Sequence, residues 1–156
     1  MTNETPPHLD EALVQRLAEL ANELDGADEH DAKPLLEEFN ELAGTCIPFA
    51  EFQGIYGAED HIDYVQRVLT DKLTNADSSL TRDDLTEMFK RVCENPTDDA
   101  YLQFVFSTIK KTFGDHQISD LVFWPGEYFG DGDNSREQTP EEMADAVLER
   151  YRQKQA

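Results

Sequence analysis

Apolar residues recur along this chain at intervals of three and four, in short segments closed by proline or glycine, and that spacing is the signature of amphipathic α-helices. Leu13, Leu17, Leu20 and Leu24 fall at i, i+4, i+7 and i+11, one stripe of a helix that Asp25-Gly26 ends. A second helix is predicted from about Lys33 to Ala43, with Pro34 in its first turn, Leu35, Leu36, Phe39 and Leu42 on its apolar face, and Gly44 at its end. The aromatic, glycine-bracketed segment 47–57 reads as a turn or short helix packed on its neighbours. A further helix, about Ala58 to Leu73, carries Ile62, Val65, Val68, Leu69 and Leu73 on one side. Residues 1–8, polar with Pro6 and Pro7, read as a frayed arm, and the polar stretch 74–79 as a linker.

The second half opens on a capping box: Thr81 at the N-cap, Asp84 three residues on, and Leu80 placed to staple against Leu85. Leu85, Met88, Phe89 and Val92 then repeat at helical spacing until Asn95-Pro96 breaks the chain. Thr97 is placed to cap a helix reaching about Phe113 that is apolar on more than one side, through Tyr101, Leu102, Phe104, Val105, Phe106, Ile109 and Phe113. Such width suits a central helix or one partly given to binding. The short segment Ser119-Asp120-Leu121-Val122-Phe123-Trp124-Pro125 is followed by a glycine- and aspartate-rich loop. The last helix begins at Thr139-Pro140-Glu141-Glu142 and turns Met143, Ala144, Val147 and Tyr151 inward. No hairpin signal competes, so the fold class is all-α: a helical unit over residues 1–75, then a second over 76–156. Glu59–Val65 and Glu141–Val147 share Glu, Asp and Val at equivalent places, a match too cheap in acidic helices to establish a duplication.

Charge narrows the function. With 13 Lys and Arg against 34 Asp and Glu, the net charge is -21. Residues 1–75 hold 4 basic and 17 acidic residues, and residues 76–156 hold 9 and 17. Phosphate backbones and anionic bilayers are repelled by such a chain, so neither nucleic acid nor membrane is an expected partner, whereas a basic protein is. Enhanced solubility explains the same charge without any partner. No apolar run is long enough to span a bilayer, and residues 1–11 have neither the basic nor the apolar region of a secretory signal; the expected location is the cytoplasm. Cys46 and Cys93 lie within apolar patterns and are expected to be buried free thiols.

Catalytic patterns are lacking. His8, His30, His61 and His116 form no ligand pair at helical spacing, and Glu59-Asp60-His61 point in different directions on a helix. Neither cysteine has the cationic neighbourhood of a nucleophile, and no phosphate-binding or dinucleotide motif is present. Counted from Asp131, residues Asp133, Ser135, Glu137, Thr139 and Glu142 fall at the oxygen-donor positions of a calcium loop. Arg136, however, stands where the turn needs glycine, and Pro140 starts a helix inside the loop, so a solvated acidic loop is expected. The sequence predicts a non-enzyme without cofactor or metal.

The sharpest feature is Asp120 beside Phe123 and Trp124. Adjacent rings cannot both face one core, so either they diverge or the turn presents a ring to solvent, where an aromatic beside a carboxylate suits a protein-binding hot spot. Burial of both rings under the wide helix is the structural alternative.

Residues 80–152 resemble the colicin/pyocin immunity family, small four-helix inhibitors of nuclease bacteriocins. The resemblance rests on an order of features: the capped helix Thr81–Glu94 with Cys93 near its end, the aspartate-started helix 98–113, the motif Ser119–Pro125, an acidic loop, and Thr139-Pro140-Glu141. The family shows a similar S-D-L-I-Y-Y-P on its short third helix and S-P-E opening its fourth. The resemblance implies an inhibitor that binds a basic nuclease domain beside its active site, with Asp120, Phe123 and Trp124 as common anchors. It implies specificity residues on the second helix, here Asp99, Gln103, Phe106 and Lys110, in a register that the variable connection leaves open by one residue. Four features depart from the family: Phe123 and Trp124 replace two tyrosines, Lys110-Lys111 stands where acidic residues are usual, the loop 126–138 is longer, and residues 1–75 have no counterpart. A second reading is a housekeeping or regulatory interaction protein that keeps this fold without binding a toxin.

Overall fold

A computed structural model describes residues 6–55 and 60–155, and among these the regular structure is wholly helical. The arm expected over 1–8 and the start of the helix expected at Ala58 fall partly outside the described residues, as do Tyr56, Gly57 and Glu59. The chain divides into two units, residues 7–73 and residues 74–156.

The first unit comprises α1 (Glu11–Leu24), α2 (Lys33–Ala43), a single 3-10 turn (Phe49–Phe52) and α3 (His61–Leu73). Asp10 caps α1 by accepting the Leu13 N–H at 3.2 Å. Gly44 ends α2 in the left-handed conformation that a side chain would strain. Leu17, Leu20, Leu24, Phe39, Phe52 and Val65 form the core, and the Phe39 and Phe52 rings meet edge to face at 4.8 Å. Arg16 of α1 reaches Glu38 of α2 at 2.7 Å. Gln53 clamps the 3-10 turn to the end of α1, donating to the Leu24 carbonyl and accepting from Gly26, each at 2.8 Å. Two expected core residues face outward: Leu42 is 44% exposed, its place taken by Ala43, and Leu73 is 49% exposed at the last position of α3.

The second unit comprises α4 (Arg82–Glu94), α5 (Asp99–Phe113), α6 (Ile118–Phe123), α7 (Pro125–Phe129) and α8 (Pro140–Gln155). The expected capping box at Thr81 and Asp84 is present in both directions, at 3.1 and 2.9 Å. The equivalent box joins Thr139 and Glu142 at the start of α8. The cap of α5 is Asp98 rather than Thr97: the Asp98 carboxylate accepts the Tyr101 N–H at 3.1 Å, and the Asn95-Pro96 turn carries the chain one residue further before the helix begins. Helices α4 and α8 pack side by side, with Arg82 gripping Asp145 at 2.6 and 3.2 Å across their outer edge. Leu85, Phe89, Val105, Ile109, Leu121, Ala144 and Val147 form the core. Full burial of each Leu, Ile, Val and Phe side chain among these contributes about 1.5–3 kcal/mol. Tyr151, expected inward, is 36% exposed and lies edge-on against Phe113 at 5.2 Å.

The segment 74–79, read as a linker, is held to the second unit. The Lys111 ammonium donates to the Thr74 carbonyl at 2.6 Å, and the Asp77 N–H to Thr112 Oγ1 at 2.9 Å. Both cysteines are exposed rather than buried: Cys46 follows the end of α2, and Cys93 sits in the last turn of α4, one residue past buried Val92. Enough of the fold surrounds the Cys93 thiol to push its pKa up by desolvation, assisted by Glu94. No helix among the described residues is long and apolar enough to cross a membrane.

Candidate functional site: an aromatic elbow on the second unit

The motif 119–125 does not fold as one element: residues 119–123 lie in α6, Trp124 lies between helices, and Pro125 opens α7, which runs into the segment read as loop. Proline explains both. Pro125 disfavours helical backbone at the residue before it, so α6 stops and Trp124 adopts φ -137°, ψ 63°, outside the helical region. Pro125 itself has no N–H to lose at the first position of a helix, and α7 starts there. Trp124 is therefore an elbow: its N–H donates to the Asp120 carbonyl at 2.7 Å, and its carbonyl accepts the N–H groups of Glu127 at 2.9 Å and Tyr128 at 3.2 Å.

The elbow puts both rings on the surface. Phe123 is 51% exposed and Trp124 57%, while Leu121, two residues earlier in α6, is fully buried. Asp120, one turn before Trp124, is half-buried, and its carboxylate has no hydrogen-bond or ion-pair partner among the described residues. Phe106 of α5 meets Phe123 edge to face at 6.0 Å, which joins α5 to the elbow. Asp99, Gln103, Phe106 and Lys110 lie at i, i+4, i+7 and i+11, one stripe of α5; Asp99 is exposed and the other three are half-buried. The seven residues singled out from the sequence thus fall on α5, on α6 and at the Trp124 elbow, and the Phe106–Phe123 contact ties the two sets together.

The elbow is braced from behind. Tyr128 of α7 is buried, and its hydroxyl donates to Asp115 Oδ2 at 2.6 Å. Asp115, only 3% exposed, also accepts the Gln117 N–H at 3.1 Å and lies 3.8 Å from the Arg150 guanidinium of α8. That guanidinium covers the Tyr128 ring, 4.2 Å from its centre, and donates to Gln117 Oε1. Burial, followed by the hydrogen bond and charge of Asp115, pushes the Tyr128 phenol far above its ordinary range, against a weaker opposing effect of Arg150. Sequence reading missed this cluster, because a contact among residues 115, 128 and 150 leaves no local pattern.

Gly126 closes the structure from the other side. Its N–H donates to Asn134 Oδ1 at 2.9 Å, and its carbonyl accepts from Asp131 and Gly132, each at 3.1 Å. The acidic loop is tied up within itself: Arg136 pairs with Asp131 and stacks on Phe129 at 4.3 Å, and Ser135 donates to Asp133 at 2.6 Å. Asp131 and Asp133 thus have internal partners, and among the described residues no group of three or more His, Cys, Asp or Glu side chains is placed to hold a metal.

Comparison with protein-family models, curated proteins and solved structures gives no match for this chain.

Proposed function

We propose that the second unit is a protein-binding module of immunity type, an inhibitor that seats its aromatic elbow on a basic nuclease domain in the cytoplasm. The observation that carries the reading is the exposure of Phe123 and Trp124 together, with Phe106 edge-on to Phe123 and the half-buried Asp120 one turn back along α6. Large rings held in water beside a carboxylate match the composition of interface hot spots, where tryptophan is the most enriched residue. The net charge of -21 complements a basic partner and raises its encounter rate. The order of features shared with the immunity family agrees with that surface, and the α5 stripe of Asp99, Gln103, Phe106 and Lys110 supplies a flank on which partner choice can depend. Binding of this kind acts by occlusion, since the acidic surface excludes a phosphate backbone from the nuclease; it needs no catalytic group, metal or cofactor.

The test is protection. Cells making the wild-type chain are challenged with a panel of colicin- and pyocin-type nucleases, beside cells making Trp124→Ala at equal abundance. Survival against one nuclease that is lost with Trp124→Ala is the expected result. Equal sensitivity of both strains to every nuclease would favour an interaction protein that keeps the fold for another partner.

A further inference from the structure

We infer that Tyr128, Asp115 and Arg150 are positioning residues that hold the Phe123–Trp124 elbow in its presented form, so that the surface is built before any partner arrives. The inference rests on the binding role proposed for that elbow. Phe123 and Trp124 are half exposed, so packing of their own side chains fixes them weakly. The helices on either side, Ile118–Phe123 and Pro125–Phe129, are far too short to persist by their own backbone bonds. Something outside them must set the angle at Trp124.

The cluster has the geometry to do so. Asp115 precedes α6, and Tyr128 lies on α7, so their 2.6 Å hydrogen bond spans Trp124 and fastens the two arms of the elbow to one another. Arg150, from α8, reaches both arms at once: its guanidinium lies over the Tyr128 ring, 3.8 Å from Asp115, and bonds Gln117. Since α8 packs along α4, the arms are fastened to the body of the unit rather than only to each other. Asp115, buried between the Tyr128 hydroxyl and the Arg150 guanidinium, is costly to keep charged unless both partners stay in place, and it therefore favours one arrangement over its neighbours. An interface gains affinity from such fixing, because less ordering remains to be done on binding.

Trp124 is the single tryptophan of the chain, so its fluorescence reports the elbow directly, without a partner. Steady-state anisotropy and acrylamide quenching of Trp124 are measured for wild type, Tyr128→Phe and Arg150→Gln under conditions where far-UV ellipticity shows each to be folded. Phe89→Leu, a core change on α4, serves as a matched destabilised control. Lower anisotropy and stronger quenching in both cluster variants, with neither in Phe89→Leu, is the expected result. If Tyr128→Phe does not fold, Arg150→Gln decides alone. Wild-type anisotropy and quenching in folded Tyr128→Phe and Arg150→Gln, or an equal change in Phe89→Leu, overturns the inference. Because no partner enters the measurement, its failure leaves the binding proposal untouched, and a failure to find a nuclease leaves this result intact.

Discussion

Replacing Gly126 with alanine sets two effects of opposite sign against each other, and the geometry says which prevails. Gly126 lies within α7 and is not in a left-handed conformation, so alanine by itself would gain up to about 1 kcal/mol of helix propensity there. The space argues the other way: a Cβ on Gly126 would lie 2.4 Å from the Asp133 nitrogen, 2.5 Å from the Gly132 carbonyl carbon and 2.8 Å from Asn134 Oδ1. Two of these are backbone atoms that cannot swing aside. Overpacking of this sort costs about 1–3 kcal/mol. Pushing the loop away also weakens the bonds from Asp131 and Gly132 to the Gly126 carbonyl and from Gly126 to Asn134, at about 0.5–1.5 kcal/mol each. The net expectation is destabilisation by about 2–4 kcal/mol. Urea unfolding followed by Trp124 fluorescence isolates the second unit, since the chain has one tryptophan. Gly130→Ala makes the comparison: open space surrounds that position, and its φ of +75° leaves a conformational cost of only about 1–2 kcal/mol. A Gly126→Ala protein as stable as wild type, or more so, would refute the packing of the loop on α7.

Further outcomes follow from the same structure. Tyr128 has its phenol pKa raised in the fold, so its stabilising effect is complete below the ordinary tyrosine range and declines once pH passes about 10 and the unfolded chain ionises first; Tyr128→Phe should cost about 1–3 kcal/mol at neutral pH and flatten that alkaline decline in pH-dependent urea melts. Self-repulsion at a net charge of -21 is screened by salt, so the melting temperature should rise with ionic strength in calorimetry; a flat or falling trend contradicts it. Cys46 and Cys93 should both react with a disulfide reagent in the folded protein, with Cys93 speeding up markedly at alkaline pH because its thiol pKa is raised. A protein that reacts only after denaturation would show these thiols to be buried after all.

The parts of the fold that local chemistry dictates were legible in advance. Thr81 with Asp84 and Thr139 with Glu142 are reciprocal caps, and Gly44 ends α2 in a left-handed conformation. The wide apolar surface of α5 also read correctly, since Tyr101, Phe104, Val105, Ile109 and Phe113 are buried while Phe106 forms the half-buried edge at the elbow. The misreadings share a cause, which is that spacing fixes a stripe but not its edges. Leu42 and Leu73 satisfy the helical repeat yet keep 44% and 49% of their surface exposed, and Cys93 is likewise exposed one residue past Val92. Helix α7 was hidden by composition. Pro125 carries the same first-turn signal as Pro140, but the glycines and aspartates after it read as loop. For the candidate site, the exposure of Phe123 and Trp124 follows from the proline after them, whereas the Tyr128–Asp115–Arg150 brace depends on chain segments brought together only by the fold.

The proposed seating of a basic nuclease domain on the Phe123–Trp124 elbow is read most directly by titration. Purified nuclease domains of the bacteriocin type, inactivated so that they can be handled, are titrated by calorimetry into wild type and Trp124→Ala. The expected result is saturable binding of one domain by wild type, with Trp124→Ala weakened at least about 30-fold, the roughly 2 kcal/mol of an interface hot spot. Equal affinity of the two proteins, or no binding of any domain by wild type, would rule out the elbow as a nuclease-binding surface.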